Sequence, residues 1–246
     1  MKKLVWKSYG MTDTGAVRTR NEDNLLLLDH EGMWLVADGA GGHANGHIAS
    51  QIAVDSLSHY KSSRRLGTDS KQVCFLLRQA NHQIIQNSRT NKQTSGSTAS
   101  VFLTEGRSAV CIWTGDSPIY RFRNNKLVQL SQDHNRVEEF IQQGFSQEES
   151  EHMPVAQYLT QALGAAEKLC LQTRWIDIKA NDYFIIASDG LSKELLFSDI
   201  EKIIRENQSS ERLITQKLIS ETINRGARDN VTVIVIFYEF PPLFNS

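Results

Sequence analysis

Apolar residues fall into short runs and helical stripes that alternate along the chain. The run Trp34-Leu35-Val36-Ala37 stops at Asp38 and passes into Gly39-Ala40-Gly41-Gly42-His43. The same figure returns as Tyr183-Phe184-Ile185-Ile186-Ala187-Ser188-Asp189-Gly190 and as Val110-Cys111-Ile112-Trp113-Thr114-Gly115-Asp116. A short continuous apolar run bounded by turn residues reads as a buried strand. Each of these runs therefore predicts a strand that delivers a carboxylate at its end. Taken singly, Asp-Gly after a strand is a turn signal. Repeated within one domain, the acids have a second reading, convergence on a cation.

The remaining periodicity fills in the architecture. Residues 4–12 alternate and predict a first strand, Leu25 to Leu28 a second, and 33–37 a third, in a hairpin-like antiparallel order. Residues 44–60 predict a helix with Ile48, Ile52, Val54 and Leu57 on one stripe. Residues 61–70 read as a surface loop. A second helix follows over 71–90, with Val73, Leu76, Leu77, Ala80 and Ile84 facing one way. The two helices should form an antiparallel pair covering one side of a sheet.

Strands are expected over 96–104, 108–114 and Ile119 to Arg123, with Asn124-Asn125 as a hairpin turn. Residues 133–143 and 147–152 read as short helices in a polar excursion, 131–164, that is either a connecting loop or a substrate-facing flap. Strands at 169–178 and 182–188 precede helices at 191–195, 198–206 and 209–224, and 231–237 is the last strand. Pro241-Pro242 ends the ordered pattern. The sum is an α/β (α+β) fold in which two antiparallel sheets pack together with helix pairs outside.

Composition narrows the class. With 246 residues, 40% hydrophobic and 22% charged, the chain is long and apolar enough for one large domain with a sizeable core. The expected division is a single catalytic domain, 1–240, with a tail at 241–246. A formal net charge of -1 provides no global basic field for nucleic acid. Cys74, Cys111 and Cys170 lie far apart with no Cys-x-x-Cys pair, so they read as small buried hydrophobes in a reducing compartment. The segment Met1-Lys2-Lys3-Leu4-Val5-Trp6-Lys7 lacks the apolar stretch of a signal peptide. No run approaches the ~20 apolar residues of a membrane span. The expectation is a cytoplasmic protein without membrane insertion.

The acids at strand ends and in tight polar loops are Asp23, Asp38, Asp116, Asp189 and Asp229. Carboxylates gathered in one cleft raise one another's pKa values, and burying them unpaired costs several kcal/mol each. Lysines are few in these loops, whereas a hard divalent cation, magnesium or manganese, suits an all-oxygen ligand set. The scarcity of histidine and cysteine argues against zinc. Asp38 is placed to bridge two ions, and Gly39, without a side chain, lets its carbonyl approach one. Two ions about 3.5–4 Å apart lower the pKa of a shared water and hold the group under attack. Phosphate esters are the natural substrates, since their developing charge sits on oxygens. Arg18, shortly before Asp23, is the candidate for a bidentate grip on the phosphoryl oxygens.

Arg18-Thr19-Arg20-Asn21-Glu22-Asp23, Val36-Ala37-Asp38-Gly39-Ala40-Gly41-Gly42-His43, Gly115-Asp116-Ser117, Ser188-Asp189-Gly190 and Asp229-Asn230 resemble, in that order, the motifs of metal-dependent protein phosphatases of the 2C type, in their bacterial form. Gly96-Ser97-Thr98 and Leu159-Thr160-Gln161-Ala162-Leu163-Gly164 are similar to further family segments, and the resemblance covers roughly residues 8–238. It implies an α-β-β-α sandwich. It also implies hydrolysis of phosphoserine and phosphothreonine by a metal-bound hydroxide, with no covalent enzyme intermediate. By position, Asp38 would bridge both ions, Asp189 and Asp229 would hold the first, and Asp23 with the Gly39 carbonyl the second. Glu22 would act through water in the outer shell, where Asn230 is also placed. Asp116 with Asp189 would form a weaker third site, and residues 117–160 would include the flap. The chain departs from the family pattern at Pro118, where bacterial members often carry arginine, and at His152-Met153-Pro154, where the flap usually has His-Pro.

Two histidines have competing readings. His43 suits the proton donor for a leaving seryl oxygen, or a local hydrogen bond at a helix start. His134, beside Asp133, is a weaker candidate acid or a solvated surface residue. The expected activity is a serine/threonine protein phosphatase that acts as a monomer on phosphorylated proteins and opposes a cognate kinase. Its rivals are a catalytically silent phosphoprotein-binding module and a small-molecule metal phosphomonoesterase.

Overall fold

Alternation within the buried runs sets the layering of this computed structural model, which describes residues 5–41, 45–146, 149–150, 153, 155 and 158–239. In β3 (Met33–Ala37), Met33, Leu35 and Ala37 join one apolar cluster while Trp34 and Val36 join another. Neither face of the strand meets water, which is why it reads as a continuous apolar run. In β11 (Tyr183–Ala187), Phe184 and Ile186 enter the cluster that contains Trp34, whereas Tyr183, Ile185 and Ala187 pack the opposite way.

The strands assemble into two five-stranded sheets. One has the order β10 (Gln172–Asp177), β7 (Ser108–Thr114), β6 (Ala99–Glu105), β3 and β2 (Asn24–Leu28). The other has the order β1 (Val5–Asp13), β12 (Val231–Glu239), β11, β8 (Ile119–Arg123) and β9 (Lys126–Gln129). Every ladder is antiparallel. Helices α1 (Gly46–Ser58) and α2 (Leu66–Asn91) cover the first sheet. The second is covered by the one-turn α4 (Asp189–Ser192), α5 (Phe197–Glu206) and α6 (Glu211–Asn224). Between the sheets lies an aromatic-rich core in which Phe102 and Phe184 stack at 4.3 Å. The four-layer α-β-β-α sandwich is therefore the fold. The polar excursion carries α3 (Val137–Gln142).

Several boundaries move from their expected places. Helix α2 begins at Leu66 rather than 71, because polar residues of the expected loop turn inward: Ser62 Oγ and Ser63 N donate to the buried Asp69 carboxylate at 3.0 and 2.8 Å. The glycine stretch after Asp38 is partly a strand, since β4 (Gly39–Gly41) pairs with β5 (Ser95–Ser97). The expected strand over 96–104 accordingly breaks at Thr98 and resumes as β6. The Asn124-Asn125 hairpin forms with φ of 53° and 62°, the left-handed pair that a type I′ turn requires. Of the cysteines, Cys111 is buried, but Cys74 is half-buried and Cys170 is exposed. Gln147, Glu148, Glu151 and His152 of the second short helix, and the tail 241–246, lie outside the described residues. Among the described residues, no helix is long and apolar enough to cross a membrane.

One buried ion pair anchors the entry to β11. Arg123, at the end of β8, donates from Nε and Nη2 to the two Asp182 oxygens at 2.6 and 2.5 Å, immediately before β11. Asp182 is fully buried, so removing its partner leaves a charge out of water. Arg123→Met is expected to lower stability by about 3–5 kcal/mol. In urea unfolding this appears as a lower midpoint at unchanged slope, and an unaltered midpoint would contradict it.

Candidate active site

At one end of the inter-sheet core, apolar side chains give way to hydroxyls and carboxylates. Continuing the alternation of β11 and β12 beyond Ile186 and Ile234 brings up Ser188 and Thr232, both buried. Ser188 Oγ accepts from Thr232 N at 2.9 Å, and Thr232 Oγ1 donates to Asp23 Oδ2 at 2.7 Å. On the facing sheet, Asp38 follows β3, and its N–H donates to Thr98 Oγ1 at 2.9 Å while its carbonyl accepts from Thr98 N at 2.8 Å. Thr98 Oγ1 lies 2.6 Å from Ser117 Oγ, which ties the Asp38 turn to the loop that carries Asp116. That loop turns at Gly115, with φ of 103°, where a Cβ would lie 2.6 Å from Thr98 Cγ2.

The polar loop before β2 is fastened by Asn230. Its Oδ1 accepts from Glu22 N at 2.9 Å, and its Nδ2 donates to Thr14 O at 2.8 Å and to Arg20 O at 2.9 Å. The Glu22 side chain accepts from Gly46 N at 3.1 Å, at the start of α1, and its carbonyl accepts from Gly39 N at 3.2 Å. A Cβ on Gly39 would lie 2.2 Å from Gly46 O and 2.6 Å from Glu22 O, so only glycine allows this close crossing. Together these segments line a cleft of about 600 Å³ that includes Arg18, Glu22, Asp38, Gly39, Asp116, Asp189, Asp229 and Asn230. Asp23 lies beneath them, 6% exposed.

The acids feel one another. Burial pushes Asp23 up to about 6 despite hydrogen bonds from Thr232 and Ser188, with the charges of Asp189 and Asp229 adding to the rise. Burial likewise holds Asp38 and Asp116 well above the carboxylate range, reinforced by neighbouring aspartates. Asp189 is raised by burial, against the pull of Lys193. Asp229 alone of these acids moves down: burial acts to raise it, but the Lys193 ammonium and the Arg18 guanidinium outweigh that.

Those two cations shape the cluster. Lys193 Nζ lies 2.7 Å from Asp189 Oδ2 and 2.9 Å from Asp229 Oδ2, and Arg18 Nε lies 2.9 Å from Asp229 Oδ1. Among the described residues, no three His, Cys, Asp or Glu side chains are drawn together as a finished ligand set. The chain's own cations answer the carboxylates. The residues nevertheless fit a hard divalent cation, because every donor is oxygen, and Asp189 Oδ1 is buried without a hydrogen-bond partner.

The expected acids Asp38, Asp116, Asp189 and Asp229 thus share one cleft with Arg18, Glu22, Gly39 and Asn230, while Asp23 is buried against Thr232 within range of the Asp189 and Asp229 charges. His43 lies outside the described residues. His134 departs from the expected solvated position: it is 7% exposed and pins the excursion to the Asp116 loop. Its ring Nδ1 accepts from Gly115 N at 3.1 Å, its backbone N–H donates to Gly115 O at 3.1 Å, and its carbonyl accepts from Thr160 N at 2.7 Å. Burial lowers its pKa, against a hydrogen bond with Gln172, in keeping with a neutral ring that accepts. Sequence reasoning also missed Lys193. The available signal was its position four residues after Asp189 on a helical turn, the spacing at which side chains meet.

Known proteins resemble this chain over most of its length. The family profile described as protein phosphatase 2C matches residues 15–222. The serine/threonine phosphatase Stp of Listeria welshimeri is 32% identical over 238 residues, covering 92% of this chain and 93% of that protein. Among solved structures, PppA of Pseudomonas aeruginosa superposes with a TM-score of 0.88 at 31% identity, over 96% of this chain and 98% of that one. The catalytic domain of the phosphatase PstP, solved with 2 manganese ions, superposes with a TM-score of 0.83 at 25% identity, over 97% of this chain and 100% of that one.

Asn230→Ala removes the fastener while leaving every carboxylate in place. Losing its buried hydrogen bonds is expected to cost about 2–3 kcal/mol of stability. Trypsin should also cleave sooner after Arg18 and Arg20. Thermal unfolding together with timed proteolysis checks both effects, and native-like cleavage would refute the fastening role.

Proposed function

The chain belongs to the protein phosphatase 2C family, and on that premise we propose that it hydrolyses phosphoserine and phosphothreonine in proteins with divalent cations, manganese or magnesium, held in the acidic cleft. The observation that carries this reading is the meeting of Asp38, Asp116, Asp189 and Asp229 in one cleft with Arg18 beside them. Asp38, following β3, would be shared between two ions, with Asp189 and Asp229 holding one and Asp23 and the Gly39 carbonyl the other, while Glu22 and Asn230 hold the surrounding loop. Asp116 with Asp189 would hold a weaker third ion. Bound divalent ions would activate water at neutral pH and supply positive charge for the phosphoryl oxygens.

The chain's own residues do the rest. Arg18 is about half exposed, so its guanidinium can leave Asp229 and take two phosphoryl oxygens in a bidentate grip. Such a grip orients the ester for in-line attack. Tyr158 and Leu159, in the excursion, line the same cleft, and Tyr158 is 64% exposed. The part of segment 117–160 that follows β9 is accordingly the flap that meets the polypeptide around the phosphorylated side chain, whereas β8 and β9 belong to the second sheet. A phosphatase of this kind reverses the work of a serine/threonine kinase, which is its expected functional counterpart.

Hydrolysis of p-nitrophenyl phosphate is expected to be stimulated by manganese and abolished by a chelator, and Asp189→Ala is expected to reduce turnover at least ~100-fold. Wild-type-like turnover by Asp189→Ala would defeat the proposal. Arg18→Ala should lower kcat/KM on a phosphothreonine peptide by about 10- to 100-fold, mainly through KM, because it removes substrate binding. The wild-type protein should show a higher kcat/KM on that peptide than on free phosphomonoesters. Equal values would favour small-molecule substrates.

A further inference from the structure

We propose that Lys193 is a tethered counter-cation that competes with divalent metal for the carboxylates of the cleft and so sets the metal concentration at which the site fills. The proposal rests on the reading of the cleft as a metal site. Its basis is the bridge already described: one ammonium contacts Asp189 Oδ2 at 2.7 Å and Asp229 Oδ2 at 2.9 Å, oxygens contributed from opposite ends of the α4–α6 segment. The same ammonium lies close enough to Asp116 to oppose the burial-driven rise in its pKa. It thus faces acids from the β7–β8 loop, from α4 and from the segment just before β12. Arg18 meets Asp229 on its other oxygen, and Glu194 faces away from the cleft toward Arg228 at 2.9 Å.

The competition follows from simple chemistry. An oxygen cannot accept a short hydrogen bond from an ammonium and coordinate a divalent ion at full strength at the same time, and two cations repel at that distance. The ammonium is also movable. The Lys193 side chain is 37% exposed, and its four-carbon stem lets the charge swing toward solvent or toward Asp116. Without metal, the bridge joins two carboxylates that would otherwise repel each other. With metal, the bridge has to yield. Lys193 therefore stabilises the metal-free chain and weakens metal binding by the same contacts.

Lys193→Met keeps the stem and removes the charge. Manganese titration by calorimetry is expected to show binding about 10-fold tighter in the variant than in the wild type, a change equivalent to about 1.4 kcal/mol. In chelator, the variant should melt about 3–6 °C lower than the wild type. If the metal-free variant does not fold, the same dissociation constant is obtained by chelator competition starting from the manganese-loaded protein. Lys193→Arg, which keeps a cation, should bind manganese closer to the wild type than Lys193→Met does. Equal or weaker manganese binding by Lys193→Met overturns the role of Lys193 while leaving the metal site standing. If neither protein binds manganese, the metal site and the counter-cation fall together.

Discussion

Negative charge concentrated at the edge of a dry core is the condition around which this molecule is arranged. Asp23, Asp38, Asp116 and Asp189 are all raised in pKa first by burial and then by other acids. Such a group persists only where something positive answers it. In this structure part of the answer comes from Lys193 and Arg18. The remainder is expressed in raised pKa values and in an Asp189 oxygen with no partner. A catalytic cleft for phosphate esters needs this kind of stored demand for cations, because substrate and nucleophile are themselves anionic.

The sandwich carries the charge without collapsing because its acid-delivering strands β3 and β11 are dry on both faces. Aromatic contacts such as Phe102 against Phe184, and Trp6 against Trp34 at 5.4 Å, fill the space between the sheets. The polar end is confined to a rim where Ser188, Thr232, Thr98 and Ser117 bond one another or the acids. These hydroxyls form a graded boundary, apolar behind and ionic in front, so that a one-residue slip in β3 or β11 would turn an acid into the core.

Most of this was legible in the chain, for a physical reason. A strand buried on both faces has to be written as an apolar run, and the acid that ends it stands out against that background, as with Ala37-Asp38 and Ala187-Ser188-Asp189. The layers followed from the order of runs and stripes. What escaped notice depended on contacts distant in sequence. The early start of α2 comes from serines that fold back onto Asp69. Pairing of β4 with β5 joins glycines and serines that carry no apolar signal. His134 looked solvated beside Asp133, yet it is held by the backbone of Gly115. For Lys193 the sequence shows only the four-residue spacing from Asp189; its second partner, Asp229, lies 36 residues further on and is brought to it by the fold.

The register of β1 with β12 has a consequence for biosynthesis. Val5 lies opposite Glu239 and Asp13 opposite Val231, so β1 waits for β12, more than 200 residues further on. Asn230, just upstream of that last strand, is what holds the Arg18 loop. A nascent chain emerging from the ribosome therefore cannot complete the cleft until β12 has been released. A chain halted before Asn230 lacks both the β1 ladder and the fastener of the Arg18 loop.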